Sequence, residues 1–190
     1  GVAAQIALLL RPPDFDDHDL SNIRAIVVGG GPSGATAAHE LANKGHRVLL
    51  LERGFRIKPC GGAIPPCLLQ EFNIPDHLVV ARIRSARMIS PKGQSVDMPI
   101  DGTFVGMVDR DEFDPWLRQR ASEAGATVVP GVFKSLEYQE ELVSLTYQTK
   151  DENPRTITVT ARSVLGADGA RSAVARATIP DAEKTPWVLA

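Results

Sequence analysis

The sequence predicts an α/β fold built on a parallel sheet, and three observations predict it. The apolar run Ala25-Ile26-Val27-Val28 leads directly into Gly29-Gly30-Gly31-Pro32-Ser33-Gly34. Small residues follow, with Ala35, Ala37 and Ala38 behind the last glycine. A second apolar run, Val48-Leu49-Leu50-Leu51, then ends in Glu52 and Arg53. Strand, glycine turn, close-packed helix, second strand and terminal acid together open a dinucleotide-binding βαβ unit of the Rossmann type. A glycine turn alone would be weak evidence; here the three conditions hold together.

Each position has a physical task in that reading. Gly29 permits the tight turn, Gly31 lets the backbone approach a pyrophosphate, and Gly34 lets the helix pack close to the sheet. Pro32 and Ser33 begin the helix, where unpaired N–H groups and the helix dipole favour an anion. Glu52 lies where a carboxylate accepts hydrogen bonds from both hydroxyls of an adenosine ribose. It would repel a 2′-phosphate, so the first turn is expected to hold FAD or NAD rather than NADP. A Walker A loop is excluded because no Lys-Ser/Thr pair closes the glycine run. A hydrolase elbow is excluded because glycines do not flank Ser33 at G-x-S-x-G spacing.

The remaining elements follow in order. Residues 24–28 and 47–52 read as strands around a helix at 32–43, which Lys44 and Gly45 terminate. Residues 54–67, rich in Gly, Pro and Cys, read as an irregular loop, followed by a short helix at 67–72. Alternation across 81–100, with Pro91-Lys92-Gly93 as turn, predicts a β-hairpin. Residues 109–124 predict a helix with Asp109 or Asp111 as cap, Phe113, Trp116 and Leu117 on its apolar face, and Gly125 as stop. Residues 126–129 read as a third parallel strand candidate. Residues 136–148 and 156–160 read as meander strands joined by a polar turn at 150–154. Residues 163–166 read as a short buried strand.

Composition narrows the function classes. The 190 residues are 43% apolar, enough for a sizeable core. The net charge of −2 and the lack of a Lys/Arg run give no footprint for nucleic acid. Cys60 and Cys67 are too few for a disulfide scaffold and lack zinc spacing, so a reducing, cytoplasmic setting is the default. His18, His39, His46 and His77 have no ligand spacing, and no metal is expected. No apolar run is long enough to span a bilayer. Residues 1–22 are expected to be a disordered or extraneous extension, with the nucleotide-binding domain over 23–190.

A second chemical signal is Gly166-Ala167-Asp168-Gly169-Ala170-Arg171-Ser172. Alone it reads as an Asp-Gly turn capping the next helix. At this distance from the first fingerprint it resembles the second motif of the FAD-dependent monooxygenase and reductase superfamily. That resemblance implies that Asp168 and Gly169 touch the FAD pyrophosphate and shape the NADPH path. Arg110 has a fork suited to bidentate contact with a phosphate, the alternative being an arginine tied to the helix start. Asp109, Asp111 and Asp114 are read as stabilising that helix start.

The loop Arg56-Ile57-Lys58-Pro59-Cys60-Gly61-Gly62-Ala63-Ile64-Pro65-Pro66 resembles the geranylgeranyl reductase family. The stretches from Ala86 to Pro91 and from Val105 to Arg110 resemble its pigment branch more than its archaeal lipid branch. The resemblance runs from about residue 24 to the C-terminus. It implies a Rossmann-like FAD-binding domain of the aromatic-hydroxylase/geranylgeranyl reductase type, with an inserted β-meander and truncated at the C-terminus. Residues 81–108 would start a substrate-side β region.

It further implies that NADPH reduces FAD, which saturates isolated double bonds of a geranylgeranyl chain to give phytyl. The substrate would be a prenylated pigment or a prenyl diphosphate, with pigment-biosynthesis enzymes as partners and peripheral association with the photosynthetic membrane. Cys60, Gly61 and Gly62 would approach the cofactor. Cys60 is the speculative catalytic residue, with Arg56 and Lys58 nearby to lower its pKa; the competing reading has the thiol merely packing. Cys67 is read as core. The family's third FAD segment and substrate-lining sheet are missing here, so the 190 residues alone are expected to be inactive and to bind FAD weakly. Two rival readings are an aromatic-ring hydroxylase of the same superfamily and a non-catalytic nucleotide-binding remnant.

Overall fold

The structure, a computed structural model, describes Leu20, residues 22–54 and residues 62–184. In chain order its elements are β1 (Ala25–Val28), α1 (Pro32–Asn43), β2 (Val48–Glu52), β3 (Ala63–Ile64), α2 (Pro66–Glu71), β4 (Val79–Ile83), β5 (Ser85–Ile89) and β6 (Ser95–Pro99). They continue with β7 (Val105–Val108), α3 (Arg110–Glu123), β8 (Thr127–Gln139), β9 (Leu142–Thr149), β10 (Thr156–Ala161), β11 (Ser163–Gly166) and α4 (Ala173–Thr178). The chain divides into two compact units, Gly1–Phe55 with Trp116–Ala190, and Arg56–Pro115.

The first unit holds a six-stranded sheet in the order β10-β9-β8-β2-β1-β11. β1 is paired in parallel on both sides, Ala25 with Val48 and Val28 with Leu51 across β2, and Ala25 with Ser163 and Val28 with Gly166 across β11. All four β1 residues are buried, which is why the strand reads as continuous apolar sequence rather than alternating. On α1 the buried residues are Gly34, Ala35, Ala38 and Ala42, a face of small side chains. It packs on β1 and β2. Gly45, at φ +77, ends the helix in the left-handed conformation.

β8 changes partner along its length. It runs parallel to β2 from Leu49/Thr127 to Glu52/Pro130, then antiparallel to β9 from Gly131/Thr149 to Gln139/Leu142. The expected break between strands at 129 and 136 is therefore absent. Pro130 is the last partner of β2 and Gly131 the first partner of β9, so this pair marks a switch, not an end. A Cβ on Gly131 would lie 2.7 Å from both Leu51 Cδ1 and Tyr147 Cδ2. The segment 136–148 is instead interrupted after Gln139, where Glu140 adopts φ +49. No turn-forming glycine or asparagine announces that hairpin.

Ile26, Val28, Leu49, Leu51, Val129, Leu145, Tyr147, Val159, Ala161 and Val174 form one apolar cluster. Leu20 packs against it, so the predicted extension already contributes to the core before residue 23. Fully burying a side chain such as Leu145 stabilises by about 1.5–3 kcal/mol. β11 differs from its expectation as a buried strand. Its burial runs from exposed at Ser163 through half-buried Val164 and Leu165 to exposed Gly166, because it pairs with β1 at the edge of the sheet.

The second unit contains an antiparallel sheet β3-β7-β4 and a separate two-stranded hairpin β5-β6. The expected hairpin is Ser85 to Pro99, with Gly93 at φ +78 in its turn. The alternating residues ahead of it belong to β4, which pairs with β7. The short helix expected at 67–72 is α2, one residue earlier at each end.

Candidate functional site

Three backbone segments of the first unit meet at the C-terminal end of β1. Gly29 N–H donates to Leu51 O at 2.8 Å, and Ala167 N–H donates to Val28 O at 2.7 Å. Gly29 adopts φ +106, and a Cβ there would strike the carbonyl oxygen of Ala167 and come within 2.9 Å of Asp168 Cα. A Cβ on Gly34 would overlap the carbonyl oxygen of Gly29. The glycine turn, the start of α1 and the Asp168-Gly169 turn are thus packed backbone to backbone, which only residues without side chains permit.

The start of α1 carries no side-chain cap. Its N-cap is Gly31 in extended conformation, Pro32 stands in the first turn, and among the described residues no side-chain cap bonds the N-terminal N–H groups. Ala35 N–H is already engaged by Gly31 O at 2.9 Å. The N–H groups of Ser33 and Gly34 lie in the uncapped turn, where the helix dipole favours an anion. A cradle with no side-chain bulk and an uncapped helix start fits the pyrophosphate of a dinucleotide.

Glu52 ends β2 and reaches back across the turn. Its Oε2 accepts the N–H of Gly30 at 2.5 Å, and its Oε1 accepts the N–H of Gly54 at 2.9 Å. A carboxylate offers about four lone-pair sites, so each oxygen retains one for a further donor such as a ribose hydroxyl. Arg53 follows and is exposed.

Arg118 is the residue that sequence reasoning missed. It projects from α3, is only 4% exposed, and its Nη1 donates to Gly30 O at 2.9 Å. The signal was present as a polar intrusion on the helix's buried face: Phe113, Asp114, Leu117, Arg118 and Ala121 are all buried. A buried arginine at helical spacing among core positions requires a partner.

Asp168 behaves as a cap. Its Oδ1 accepts the Ser172 hydroxyl at 2.5 Å, and its Oδ2 accepts the N–H groups of Ala173 at 2.6 Å and Val174 at 3.3 Å. Ser172 Oγ in turn accepts Ala175 N–H at 2.8 Å. The capping alternative therefore describes the carboxylate, while the backbone of the same turn stands beside Gly29. Gly169, at φ +87, closes it.

In the second unit, Gly62 takes φ +65, and a Cβ there would collide with Val108 O. Arg110 forks onto Asp114, Nε to Oδ1 at 2.7 Å and Nη2 to Oδ2 at 2.8 Å. Both side chains are 11% exposed, so the helix-linked alternative is the one seen for Arg110. Cys60 and Gly61, with Arg56 and Lys58, lie outside the described residues. Cys67 is exposed, not core, because α2 has no buried residue. Among the described residues no group of three His, Cys, Asp or Glu is placed to hold a metal, and no helix is long and apolar enough to cross a membrane.

A parallel βαβ unit with a glycine cradle, an uncapped helix start and an acid at the next strand end defines a dinucleotide-binding domain. The chain belongs to the FAD binding domain family, whose model matches residues 75–185. The model of the NAD(P)-binding Rossmann-like domain matches residues 27–65. The geranylgeranyl diphosphate reductase of Rhodobacter capsulatus is 52% identical over 166 residues, covering 87% of this chain and 42% of its own length. The resemblance to geranylgeranyl reductases thus extends over most of the sequence.

Among solved structures, a geranylgeranyl bacteriochlorophyll reductase-like protein from Thermoplasma acidophilum superposes with a TM-score of 0.73 at 28% identity, over 88% of this chain and 43% of that one. A p-nitrophenol 4-monooxygenase from Pseudomonas putida gives 0.69 at 18% identity, over 82% and 43%, and shares the fold. The chain spans less than half the length of these relatives.

Proposed function

We propose that this chain is the FAD-binding part of a flavin-dependent reductase. The enzyme saturates the geranylgeranyl chain of (bacterio)chlorophyll, or of geranylgeranyl diphosphate, to phytyl with NADPH. The observation that carries this reading is the 52% identity to a geranylgeranyl diphosphate reductase across 87% of the chain.

In this reading the N–H groups at the start of α1 hold the pyrophosphate and Gly31 lets the backbone approach it, while the missing side chains of Gly29 and Gly34 let the turn pack against Ala167 and the helix start. Glu52 accepts the adenosine ribose hydroxyls with its remaining lone pairs and turns away a 2′-phosphate. NADPH would therefore engage the protein elsewhere, with the Asp168-Gly169 turn on its path. Gly62 and the neighbouring Cys60-Gly61 would complete the approach to the cofactor, and Arg53 would add positive charge. Bound FAD supplies the hydride carrier between nicotinamide and alkene. An isolated alkene accepts hydride poorly, so a proton donor must stabilise developing positive charge. Cys60 is the candidate for that donor.

The test uses the full reading frame to which this chain belongs. Incubated anaerobically with NADPH and geranylgeranyl diphosphate or the esterified pigment, the purified protein is expected to add two hydrogens per reduced double bond, read by mass spectrometry. Oxygen consumption with hydroxylation of a phenol and no alkene reduction would overturn the reading in favour of an aromatic-ring hydroxylase. The 190-residue chain alone is expected to bind FAD weakly and to reduce no alkene.

A further inference from the structure

Gly30 is gripped through both of its polar backbone atoms. Glu52 Oε2 takes its N–H and Arg118 Nη1 gives a hydrogen bond to its carbonyl. A Cβ on Gly30 would lie 3.0 Å from Arg118 Cδ and 3.0 Å from Glu52 Cβ, so the two side chains press on the same residue. The described peptide bonds are trans, and in a trans peptide C=O and N–H point in opposite directions. Holding the Gly30 carbonyl toward Arg118 therefore turns the N–H of Gly31 away from it. Holding the Gly30 N–H toward Glu52 likewise sends the Gly29 carbonyl the other way, and that oxygen is the one a Cβ on Gly34 would strike.

We propose that Arg118 is a positioning residue for the pyrophosphate. By fixing the Gly30–Gly31 peptide, it presets the Gly31 N–H as a phosphate donor and places a buried positive charge behind the turn. The inference rests on the FAD reading of the glycine turn. A glycine run left to itself samples many conformations, and ordering it on binding would cost affinity. Arg118 instead settles that ordering during folding, through a side chain already buried in the first unit. The guanidinium need not touch the ligand for this.

The test compares ADP with adenosine by calorimetry on the full reading frame to which this chain belongs, as wild type, Arg118→Met and Arg118→Lys, with thermal melting as the folding control. Arg118→Met is expected to bind ADP about tenfold more weakly while adenosine affinity stays within about twofold, because only the pyrophosphate depends on the preset turn. Arg118→Lys keeps the charge but not the fork and is expected to fall between. Equal losses for both ligands, or no loss for ADP, would overturn the proposal. If Arg118→Met does not fold, the ADP-to-adenosine ratio of Arg118→Lys decides in the same way. A full-length wild-type protein that binds neither ADP nor FAD would sink the dinucleotide reading itself, and the role of Arg118 with it.

Discussion

Glu52 Oε2 accepts the backbone N–H of Gly30 at 2.5 Å, joining the end of the second strand to the middle of the glycine turn. The acid proposed to read a ribose thus also helps shape the glycine turn. Glu52→Gln retains an acceptor oxygen but loses the charge. It is expected to weaken ADP binding about five- to thirtyfold and to narrow the preference for ADP over its 2′-phosphorylated analogue. Calorimetric titration with the two ligands checks both; an unchanged ratio would remove Glu52 from ribose recognition.

Gly34 and Gly45 separate steric from conformational roles. A Cβ at Gly34 overlaps the Gly29 carbonyl, whereas Gly45, at φ +77, has nothing within 4 Å of its Cβ position. Gly34→Ala is expected to cost about 3 kcal/mol or more and to abolish nucleotide binding. Gly45→Ala is expected to cost only about 1 kcal/mol, from the left-handed backbone. Paired thermal melts read the contrast.

Asp168 organises three donors at the start of α4: the Ser172 hydroxyl and the N–H groups of Ala173 and Val174. Asp168→Ala should cost about 1–2 kcal/mol, a fall in melting temperature of about 2–8 °C. Ser172→Ala removes the acceptor for Ala175 N–H and should fall at the lower end of that range. A melting temperature unchanged by Asp168→Ala would show that the cap adds nothing to stability.

On the exposed β5-β6 hairpin, Arg87 bonds Asp97 through Nε at 2.6 Å and Nη2 at 2.9 Å. The Arg87 hydrogen bond holds the Asp97 carboxyl below its usual value, and the Asp97 hydrogen bond raises Arg87 above its own. A depressed carboxylate stabilises the fold above its unfolded pKa and loses that contribution as pH falls through the folded value. Arg87 keeps its charge, and hence its contribution, throughout the accessible range. In Arg87→Gln the Asp97 titration, followed by carboxyl carbon NMR, is expected to move up toward the ordinary aspartate range. An unmoved midpoint would show that the pair does not set it.

Much of the fold was legible because local sequence and final environment agree. The first helix was placed at 32–43 and is Pro32–Asn43, since proline starts it, alanines face the sheet and Gly45 ends it. The hairpin turn at Pro91 to Gly93 was legible for the same reason. What failed did so where a strand's neighbours decide its course. Pro130-Gly131 looks like a break but is a change of partner, and the turn after Gln139 uses Glu140 at φ +49 without a glycine to announce it.

The candidate site divides along the same line. By itself the sequence determined the glycine turn, the small-residue helix face and the acid at the end of β2, because those demands act over a few adjacent residues and admit few residue types. Only the tertiary structure decided that Arg118 holds Gly30 from 88 residues away, that Arg110 spends its fork on Asp114, and that the Asp168 carboxylate caps a helix while its backbone abuts Gly29. A guanidinium or a carboxylate has many chemically equivalent partners, and which one it takes depends on what folding brings within hydrogen-bond reach.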